Sequence, residues 1–384
     1  MTEHVVVLGA GYAGAGAIST LQSALDSTSR LTWISDTDYH LLLHESHRVI
    51  RDPTVRSDIT IPIGVIVNST TRFVQDRVVG LDVEDRIVEL ENNENVEYDY
   101  VVVCLGSQTA YYGIPGLEDN ALTLKSLDDA LEINEAITTA SRAATRSDPA
   151  QIVVGGAGLS GIQCAGEIAE FRDRHRAPME ITLVEALDEI FPGNDPKVQG
   201  ALRNLLEEAG VIIRTDDPIV EMNENDIRFD EGGPIEYDVM LWTGGISGRD
   251  AMEHVDLEKE HNRLNTDATF QTSDDRVFAI GDSAIIEQET MPAPPTAQAA
   301  WQAAELIGEN VSRAIDGRSL KRWQYDDKGT VVSVGDKAVA HDVKVLPFST
   351  FGGLPAKNLK KLIAARWIAD LTSWNRARKA WSSL

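Results

Sequence analysis

The sequence predicts an α/β fold with two Rossmann-like parallel sheets, and three observations support this. A glycine-rich turn, Gly9-Ala10-Gly11-Tyr12-Ala13-Gly14, follows the apolar run Val5-Val6-Val7-Leu8 and opens a helical pattern. A second turn of the same spacing, Gly156-Ala157-Gly158-Leu159-Ser160-Gly161, has the same context. Further on, the apolar run at 277–280 predicts a buried strand that ends in Gly281-Asp282. Strands that alternate with helices in this way are typical of parallel sheets.

Each glycine-rich turn predicts a dinucleotide site. In a strand–turn–helix unit the first glycine makes the tight turn, the second lets the backbone approach a pyrophosphate, and the third lets helix and strand pack closely. The pyrophosphate then lies at the helix N-terminus, where free N–H groups and the helix dipole favour an anion. The glycines concerned are Gly9, Gly11 and Gly14 in the first turn and Gly156, Gly158 and Gly161 in the second. A chain with two such sites most simply transfers electrons between two dinucleotides.

Composition limits the class of protein. A chain of 384 residues with 42% hydrophobic residues is expected to form two or three globular domains. No apolar run approaches the roughly 18 residues of a membrane-spanning helix, and the first strand begins too early for a signal peptide, so we expect a cytoplasmic protein. Its two cysteines, Cys104 and Cys164, form no CxxC pair, so neither a disulfide framework nor a metal site is expected.

The formal net charge of −26 is spread along the whole chain. One interpretation is a merely acidic protein. We favour adaptation to a halophile's high-salt cytoplasm, because dispersed carboxylates hold water at the surface and salt screens their mutual repulsion. Such a surface repels phosphate backbones, so no nucleic acid partner is expected.

The order of motifs predicts how the domains are arranged. A buried strand at 100–105 ends at Gly106-Ser107, and the pattern turns helical after Pro115-Gly116. The strand ending in Gly281-Asp282 then indicates a return to the first domain. We therefore predict a first domain at 1–118 and 246–322, a second domain inserted at 119–245, and a C-terminal region at 323–384.

The last residues predict a basic amphipathic helix. Between positions 357 and 384 there are seven basic residues and one acidic residue. Trp367, Trp374 and Trp381 recur every seven residues, and Ile363, Leu371 and Leu384 join them on one helical face. Basic residues beside interfacial tryptophans are typical of a helix that lies on a membrane surface. The alternative is a helix packed on the protein body.

These motifs together resemble those of the two-dinucleotide flavoproteins and, among them, the type II NADH:quinone oxidoreductases. The resemblance covers nearly the whole chain. Besides the two glycine-rich turns and the terminal helix, it is carried by Asp38-Tyr39-His40-Leu41, Gly113-Ile114-Pro115-Gly116-Leu117, Trp242-Thr243, the strand ending at Asp282, and Pro295-Thr296-Ala297-Gln298-Ala299-Ala300-Trp301-Gln302.

By this resemblance the first domain holds FAD. Gly9, Gly11 and Gly14, with Tyr12 and Ala13 between them, are expected to cradle its pyrophosphate. Asp282 is expected to accept a hydrogen bond from the ribityl chain, Gly106 and Ser107 to lie against the nucleotide, and Ala297 to lie over the isoalloxazine ring. An acidic residue normally meets the adenosine ribose; here that place is taken by Ser35 followed by Asp36, and either of them is a candidate.

The resemblance implies that the second domain binds NADH. Its turn glycines Gly156, Gly158 and Gly161, together with Gly244, are expected to line this site. Glu185 ends the second strand of the domain, where a carboxylate meets the adenosine ribose. Since this carboxylate repels a 2′-phosphate, NADH is expected to be preferred over NADPH.

Three residues are candidates for handling protons. Gln163 stands where relatives commonly carry Glu, near the meeting point of nicotinamide and flavin; simple polar packing is the alternative. His44 and Glu45 stand where disulfide reductases carry a cysteine pair. This chain therefore lacks the relay for disulfide reduction, and His44 or Glu45 is a candidate to supply the protons that quinone reduction needs. The alternative is a loop that only contacts FAD.

Gln298 and Gln302, four residues apart on one helical face, are expected to line the quinone pocket. The resemblance thus implies an FAD enzyme on the cytoplasmic face of the cell membrane that oxidises NADH and reduces quinone without pumping protons, with a homodimer as a candidate assembly. The alternatives are a soluble flavin reductase that serves a ferredoxin or another acceptor, a sulfide:quinone-type oxidoreductase, and a redox-sensing protein that binds FAD and NADH.

Overall fold

The computed structural model of the chain describes residues 3–344 and 349–384. The fold is α/β, as the sequence predicts. Its helices are α1 (Tyr12–Ala24), α2 (His47–Arg51), α3 (Ile63–Ile66), α4 (Leu117–Asn120), α5 (Leu127–Ala143), α6 (Leu159–His175), α7 (Pro196–Glu208), α8 (Ala297–Ile315), α9 (Leu354–Leu371) and α10 (Trp374–Ala380).

The strands are β1 (His4–Leu8), β2 (Arg30–Ser35), β3 (Tyr39–Leu41), β4 (Thr60–Pro62), β5 (Thr71–Gln75), β6 (Val78–Asp82), β7 (Ile87–Leu90), β8 (Val96–Glu97), β9 (Tyr100–Val103), β10 (Ser107–Thr109), β11 (Ala150–Gly155), β12 (Met179–Val184), β13 (Ile212–Arg214), β14 (Ile219–Met222), β15 (Asp226–Phe229), β16 (Ile235–Glu236), β17 (Val239–Trp242), β18 (Ile246–Gly248), β19 (Lys259–Glu260), β20 (Arg263–Thr266), β21 (Val277–Ala279), β22 (Ala284–Ile286), β23 (Thr330–Val334), β24 (Lys337–His341) and β25 (Thr350–Gly352).

The first sheet is parallel and has the order β21-β9-β1-β2-β5. Its central strands β1 and β9 are buried along their whole length, since helices or loops cover both faces of a parallel sheet. The first glycine-rich turn leaves the carboxyl end of β1 and leads into α1. Ligands of open α/β sheets bind at this edge, so the turn is placed where a cofactor is expected.

The second sheet is parallel and has the order β13-β12-β11-β17. The second glycine-rich turn leaves the carboxyl end of β11 and leads into α6. The two turns therefore occupy equivalent places in two sheets of the same kind.

The segment that forms the second sheet is inserted in the chain between strands of the first sheet, as the sequence predicts. The chain leaves the first domain through β10 and returns through β18, and these two segments pair in antiparallel fashion. Afterwards β21 joins the edge of the first sheet by pairing with β9. The domain boundaries at 118, 245 and 322 remain predictions.

The C-terminal region departs from the predicted continuous amphipathic helix. Helix α9 ends at Leu371, and Ser373 caps a separate short helix, α10. The side chain of Trp367 is 2% exposed, whereas Trp374 is 65% and Trp381 is 38% exposed. The expected single stripe of three tryptophans is thus wrong, because a seven-residue spacing aligns side chains only along an unbroken helix.

Helices α1 and α8 pack so closely that glycine is required at their contact. A Cβ atom on Gly308 would lie 2.6 Å from the backbone carbonyl carbon of Thr20. The Thr20 hydroxyl also donates a hydrogen bond to the carbonyl oxygen of Ala304 at 2.9 Å. These contacts hold α1, and with it the first glycine-rich turn, in place.

We expect Gly308→Ala to destabilise the protein by about 1–3 kcal/mol, because the added methyl group forces the two helices apart. Gly200→Ala is the matched control: Gly200 lies in α7 with nothing within 4 Å of its would-be Cβ. That change is expected to be stabilising by about 0.5–1 kcal/mol through helix propensity. Urea denaturation measures the free energy of unfolding of both variants. Equal changes in the two variants would contradict the close packing of α1 on α8.

Candidate active site

The three glycines of the first turn have different surroundings. Gly9 has φ +96°, and a Cβ on it would lie 2.4 Å from the carbonyl oxygen of Cys104. A Cβ on Gly14 would lie 1.9 Å from the carbonyl oxygen of Gly9, whereas one on Gly11 would meet nothing within 4 Å. The fold itself therefore requires the first and third glycines. The second borders open space at the N-terminus of α1, where an anion is favoured.

The second turn repeats this geometry. Gly156 has φ +88° and lies against Gly244, whose amide nitrogen would be 2.8 Å from a Cβ on Gly156. A Cβ on Gly161 would lie 1.8 Å from the carbonyl oxygen of Gly156, and one on Gly158 would meet nothing within 4 Å. Both turns thus keep backbone N–H groups and open space together at a helix N-terminus.

Glu185 lies beside the second turn, at the end of β12. Its carboxylate accepts hydrogen bonds from the backbone N–H of Ala157 at 2.8 Å and of Leu187 at 3.1 Å. The side chain is fixed and only 8% exposed. The predicted residues Gly156, Gly244 and Glu185 are therefore brought together in one place.

The equivalent end of β2 carries Ser35 and Asp36. Ser35 is buried, and its hydroxyl lies 3.5 Å from the Asp36 carboxylate and 3.4 Å from the Thr37 hydroxyl. Asp36 is exposed. Both side chains reach the same edge of the sheet, so both remain candidates for the adenosine ribose.

The carboxyl ends of β9 and β21 bring together Gly106, Ser107 and Asp282. The Ser107 hydroxyl donates a hydrogen bond to Asp282 Oδ2 at 3.1 Å. Gly106 has φ +70° and open space at its would-be Cβ. Gly281 lies close to Ala13 of the first turn, so these residues form one surface with it. Lys125, which no sequence motif marks, donates to the Ser107 hydroxyl at 3.3 Å.

A buried polar cluster lies between the two sheets and the C-terminal region. It contains the predicted His44, Glu45 and Gln163, together with His47 and Arg48 from the same segment as His44. Ser333 and Lys360, which no sequence motif marks, complete it. No local motif links these positions, because they come from α2 and the turn before it, from α6, from β23 and from α9. We call this set the buried polar cluster.

Glu45 is the fully buried carboxylate of the cluster, and three cationic or titratable groups surround it. Arg48 pairs with it, Lys360 Nζ lies 3.5 Å from its Oε1, and His44 Nε2 lies 3.3 Å from the same oxygen. Burial opposes a charged carboxyl, but Lys360 and Arg48 outweigh burial and hold the pKa of Glu45 well below its usual range. Burial lowers the pKa of Lys360 to about 8, although Glu45 opposes this shift.

His47 and Ser333 connect Gln163 with Lys360. The Nε2 atom of His47 lies 3.2 Å from the Gln163 amide nitrogen and 3.1 Å from Lys360 Nζ. Both neighbours are donors, so this ring nitrogen accepts and the His47 proton is on Nδ1. Lys360 and Gln163 also donate to the Ser333 hydroxyl, at 2.8 and 3.2 Å. Gln163 thereby joins the second domain to the C-terminal helix.

His44 links the cluster to the first glycine-rich turn through a hydrogen bond between its Nδ1 and the Tyr12 hydroxyl. Burial raises the pKa of Tyr12 well above its usual value, so the hydroxyl keeps its proton and donates. Burial lowers the pKa of His44 to about 4, so its ring is neutral near pH 7. Among residues 3–344 and 349–384, neither His44 Nε2 nor Glu45 Oε1 makes a hydrogen bond of good geometry, and the two atoms face each other at 3.3 Å.

Tyr12 also belongs to an aromatic cluster, which we define as Tyr12, His40, Trp301 and Trp367. The ring centroids of Trp367 lie 4.8 Å from Tyr12 and 4.7 Å from Trp301. The Trp367 indole N–H donates to His40 Nε2 at 2.8 Å, and His40 Nδ1 donates to the carbonyl oxygen of Ala10 at 2.7 Å. Trp367 of α9 is thus built into the side of the first turn.

Gln298 and Gln302 lie on one face of α8, whose first residue is Ala297, and their side chains contact each other at 3.4 Å. Both amides also bond the backbone at 326–329. Gln302 donates to the carbonyl oxygen of Asp326 at 2.9 Å and Gln298 to that of Gly329 at 3.2 Å. Their present hydrogen bonds therefore fix this loop against α8.

The chain matches the family model of the pyridine nucleotide-disulphide oxidoreductases over residues 3–304. It is 32% identical to a type II NADH:quinone oxidoreductase of Staphylococcus saprophyticus over 96% of each chain. Two solved structures share its fold at 16% identity. NDH2 from Plasmodium falciparum, in complex with NADH, has a TM-score of 0.84 over 100% of this chain and 97% of that one. The sulfide:quinone oxidoreductase of Aquifex aeolicus has a TM-score of 0.80 over 98% and 92%.

The aromatic cluster leads to a prediction about pH. Burial lowers the pKa of His40 to about 4, below its unfolded value of about 6.5, so the folded state binds fewer protons between these values. The neutral His40 side chain therefore makes its full contribution to the free energy of unfolding above pH 6.5. This contribution, up to about 3 kcal/mol, is lost as pH falls from 6.5 through 4. Urea denaturation across this range should show a smaller loss for His40→Gln, in which position 40 no longer titrates. Parallel curves for both proteins would contradict this role of His40.

Proposed function

The chain belongs to the pyridine nucleotide-disulphide oxidoreductase family and, within it, to the type II NADH:quinone oxidoreductases, and we propose that it uses FAD to oxidise NADH and reduce a quinone. The observation that carries this proposal is the pair of equivalent glycine-rich turns with the buried polar cluster between their domains. The cluster holds carboxylate, imidazole and ammonium groups where a disulfide reductase needs a cysteine pair. Cys104 and Cys164 are fully buried on separate elements, and burial raises both thiol pKa values.

FAD is proposed to bind to the first domain, at 1–118 and 246–322. The open space at Gly11 and Gly106 fits a cofactor that approaches the backbone closely, and the N-terminus of α1 fits its pyrophosphate. Tyr12, Ala13 and Gly14 shape this turn, and Ala297 begins the helix proposed to lie over the ring. Asp282 and Ser107 supply polar atoms for the ribityl chain, and Ser35 or Asp36 for the adenosine ribose. When bound, FAD supplies the hydride acceptor and the electron carrier.

NADH is proposed to bind to the second domain, at 119–245. Gly158 provides open space for the pyrophosphate, and Gly156, Gly161 and Gly244 keep the turn compact. The fixed carboxylate of Glu185 is suited to two ribose hydroxyls and repels a 2′-phosphate.

The buried polar cluster is proposed to pass protons to a quinone, which takes up two on reduction. Lys360, whose pKa is about 8, carries a releasable proton near pH 7 and lies 3.5 Å from Glu45 Oε1. The neutral ring of His44 and the ionised Glu45 carboxylate must each take up a proton from solvent before they can pass one on. Gln163 positions Lys360 through His47 and Ser333 and cannot itself release a proton in this role.

A quinone is proposed to bind in the C-terminal region, at 323–384, next to α8. Trp301, which is half-buried against Trp367, offers a flat aromatic face against which a quinone ring packs well. Gln298 and Gln302 remain proposed contacts, and their bonds to the 326–329 backbone would shape one wall of the pocket.

Peripheral association with the cytoplasmic face of the cell membrane is proposed through α9 and α10. None of the helices in the described ranges is long and apolar enough to span a bilayer. The exposed side chains of this region include apolar and basic ones, and Lys361 is partly exposed beside them: Leu354, Leu362, Ile363, Trp374, Trp381, Arg366, Arg378 and Lys379. Such a surface suits an anionic lipid headgroup layer better than the acidic remainder of the protein does. Homodimer formation and adaptation to high salt stay predictions.

Anaerobic addition of NADH to the FAD-loaded protein should bleach the flavin, and a soluble quinone analogue should restore its colour. We expect the catalytic efficiency with NADPH to be at least tenfold lower, about 1.4 kcal/mol, because Glu185 repels the 2′-phosphate. Glu185→Gln should narrow this ratio, whereas Glu180→Gln, an exposed residue on the same strand, should not. Flavin that stays oxidised with NADH would refute the proposed function.

We expect the double change Trp374→Ser with Trp381→Ser to release the protein from vesicles that contain anionic phospholipid. The exposed part of the indole contributes roughly 2–4 kcal/mol for Trp374 and about 1–2 kcal/mol for Trp381 when it leaves water. Met291→Ser is the control, because Met291 is 75% exposed but lies outside this region. Sedimentation with vesicles measures binding, and ferricyanide reduction by NADH should stay unchanged in all variants. A double variant that still sediments fully would contradict the proposed membrane surface.

A further inference from the structure

Lys125 has no role in the proposal above, yet its position is tightly fixed. It precedes Ser126, the N-cap residue of α5, and its backbone N–H donates to Asp129 Oδ2 at 2.6 Å. The same carboxylate oxygen accepts from the Ser126 N–H at 3.0 Å, which completes the capping box. The start of the Lys125 side chain is therefore held by a rigid helix end.

From this anchored start, the Lys125 side chain extends towards the first domain. Its ammonium donates to the Ser107 hydroxyl at 3.3 Å, and that hydroxyl donates to Asp282 Oδ2 at 3.1 Å. One hydroxyl group thus bridges an ammonium and a carboxylate that come from distant parts of the chain. Burial lowers the pKa of Lys125, and the neighbouring Asp282 carboxylate opposes this shift.

Two other cations near Asp282 are directed elsewhere. Arg263 donates to the backbone carbonyl oxygens of Asp282 and Ala284, both at 2.8 Å. Arg249 is exposed and reaches the carbonyl oxygen of Leu105 at 3.4 Å. Of these three, Lys125 is the cation linked to the Asp282 carboxylate through a side-chain hydroxyl.

Lys125 also borders the second domain. It lines a small cavity of about 20 Å³ together with Ser160 of the second glycine-rich turn and Thr243 and Gly245 beyond β17. Lys125 therefore lies at the junction of the two proposed dinucleotide sites. In a chain of net charge −26, a cation at this point offsets the Asp282 carboxylate and the diphosphate of a bound dinucleotide.

We propose that Lys125 is a positioning residue of the FAD site. Through Ser107 it holds the Asp282 carboxylate in its binding orientation, and its charge stabilises the reduced cofactor over the oxidised one. The inference rests on the proposed function, since it requires FAD in the first domain. A positive charge near the flavin raises the reduction potential, because reduction adds negative charge to the cofactor.

The test compares Lys125→Met, which keeps the length of the side chain but not its charge, with Lys125→Arg, which keeps the charge. We expect Lys125→Met to weaken FAD binding about tenfold and to lower the flavin midpoint potential, and Lys125→Arg to retain most of both. Lys337→Met is the control: it removes the same charge from an exposed lysine that pairs with Glu208 on the surface. FAD affinity is measured by reconstituting apoprotein, and the potential by equilibration with a reference dye.

An unchanged FAD affinity and potential in Lys125→Met would overturn the proposal, and so would an effect confined to NADH affinity. Should that variant not fold, Lys125→Gln serves as the second neutral replacement, read against the same control. If the unmodified protein binds no FAD, the proposed function fails first. If it binds FAD and Lys125→Met behaves like Lys337→Met, only the role of Lys125 fails.

Discussion

The arrangement of the site depends on one interaction, the pairing of the buried Glu45 carboxylate with Arg48 and Lys360. A carboxylate without water is stable only with cations and donors around it, and removal of one partner of such a pair typically costs 3–5 kcal/mol. Arg48 comes from the same short helix as His47, but Lys360 comes from α9. The need to neutralise Glu45 therefore fixes the C-terminal helix on the first domain, and Gln163 adds the second domain through His47 and Ser333.

The second constraint is the lack of room for a Cβ atom at four turn glycines. It explains why the sequence alone predicts both glycine-rich turns. Gly9, Gly14, Gly156 and Gly161 cannot carry a Cβ without meeting backbone atoms within 3 Å. These requirements are local, since the strand, the turn and the helix are contiguous, and a local pattern is sufficient to predict them. The insertion of the second sheet was predictable for a similar reason, because the strand ending at Asp282 has the pattern of a first-domain strand.

The sequence pattern does not predict contacts between residues that are far apart in the chain. Nothing in the local sequence around His47, Ser333 or Lys360 shows that these side chains meet. The sequence pattern predicts that Lys360 is one of several solvated lysines on a basic helix. The tryptophan stripe failed for the same reason: Trp367 matches an exposed amphipathic face by spacing, but its indole is paired with His40, 327 positions away. Residues seven positions apart lie on the same face only where the helix is continuous, and this helix ends at Leu371.

Burial of Trp367 changes how the C-terminal region relates to the chemistry. Lys360, Ala364 and Trp367 form the inner face of α9, while Leu362, Ile363 and Arg366 lie on its outer face. The inner face contacts Tyr12 and Glu45, and the outer face belongs to the proposed membrane surface. A single helix thickness of about 10 Å thus separates the proposed lipid contact from the first glycine-rich turn. Trp301 touches both faces of α9, because its ring centroid lies 4.7 Å from that of Trp367 and 5.5 Å from the Arg366 guanidinium carbon. A quinone that packs on Trp301 as proposed would therefore lie between the proposed lipid contact and the aromatic cluster.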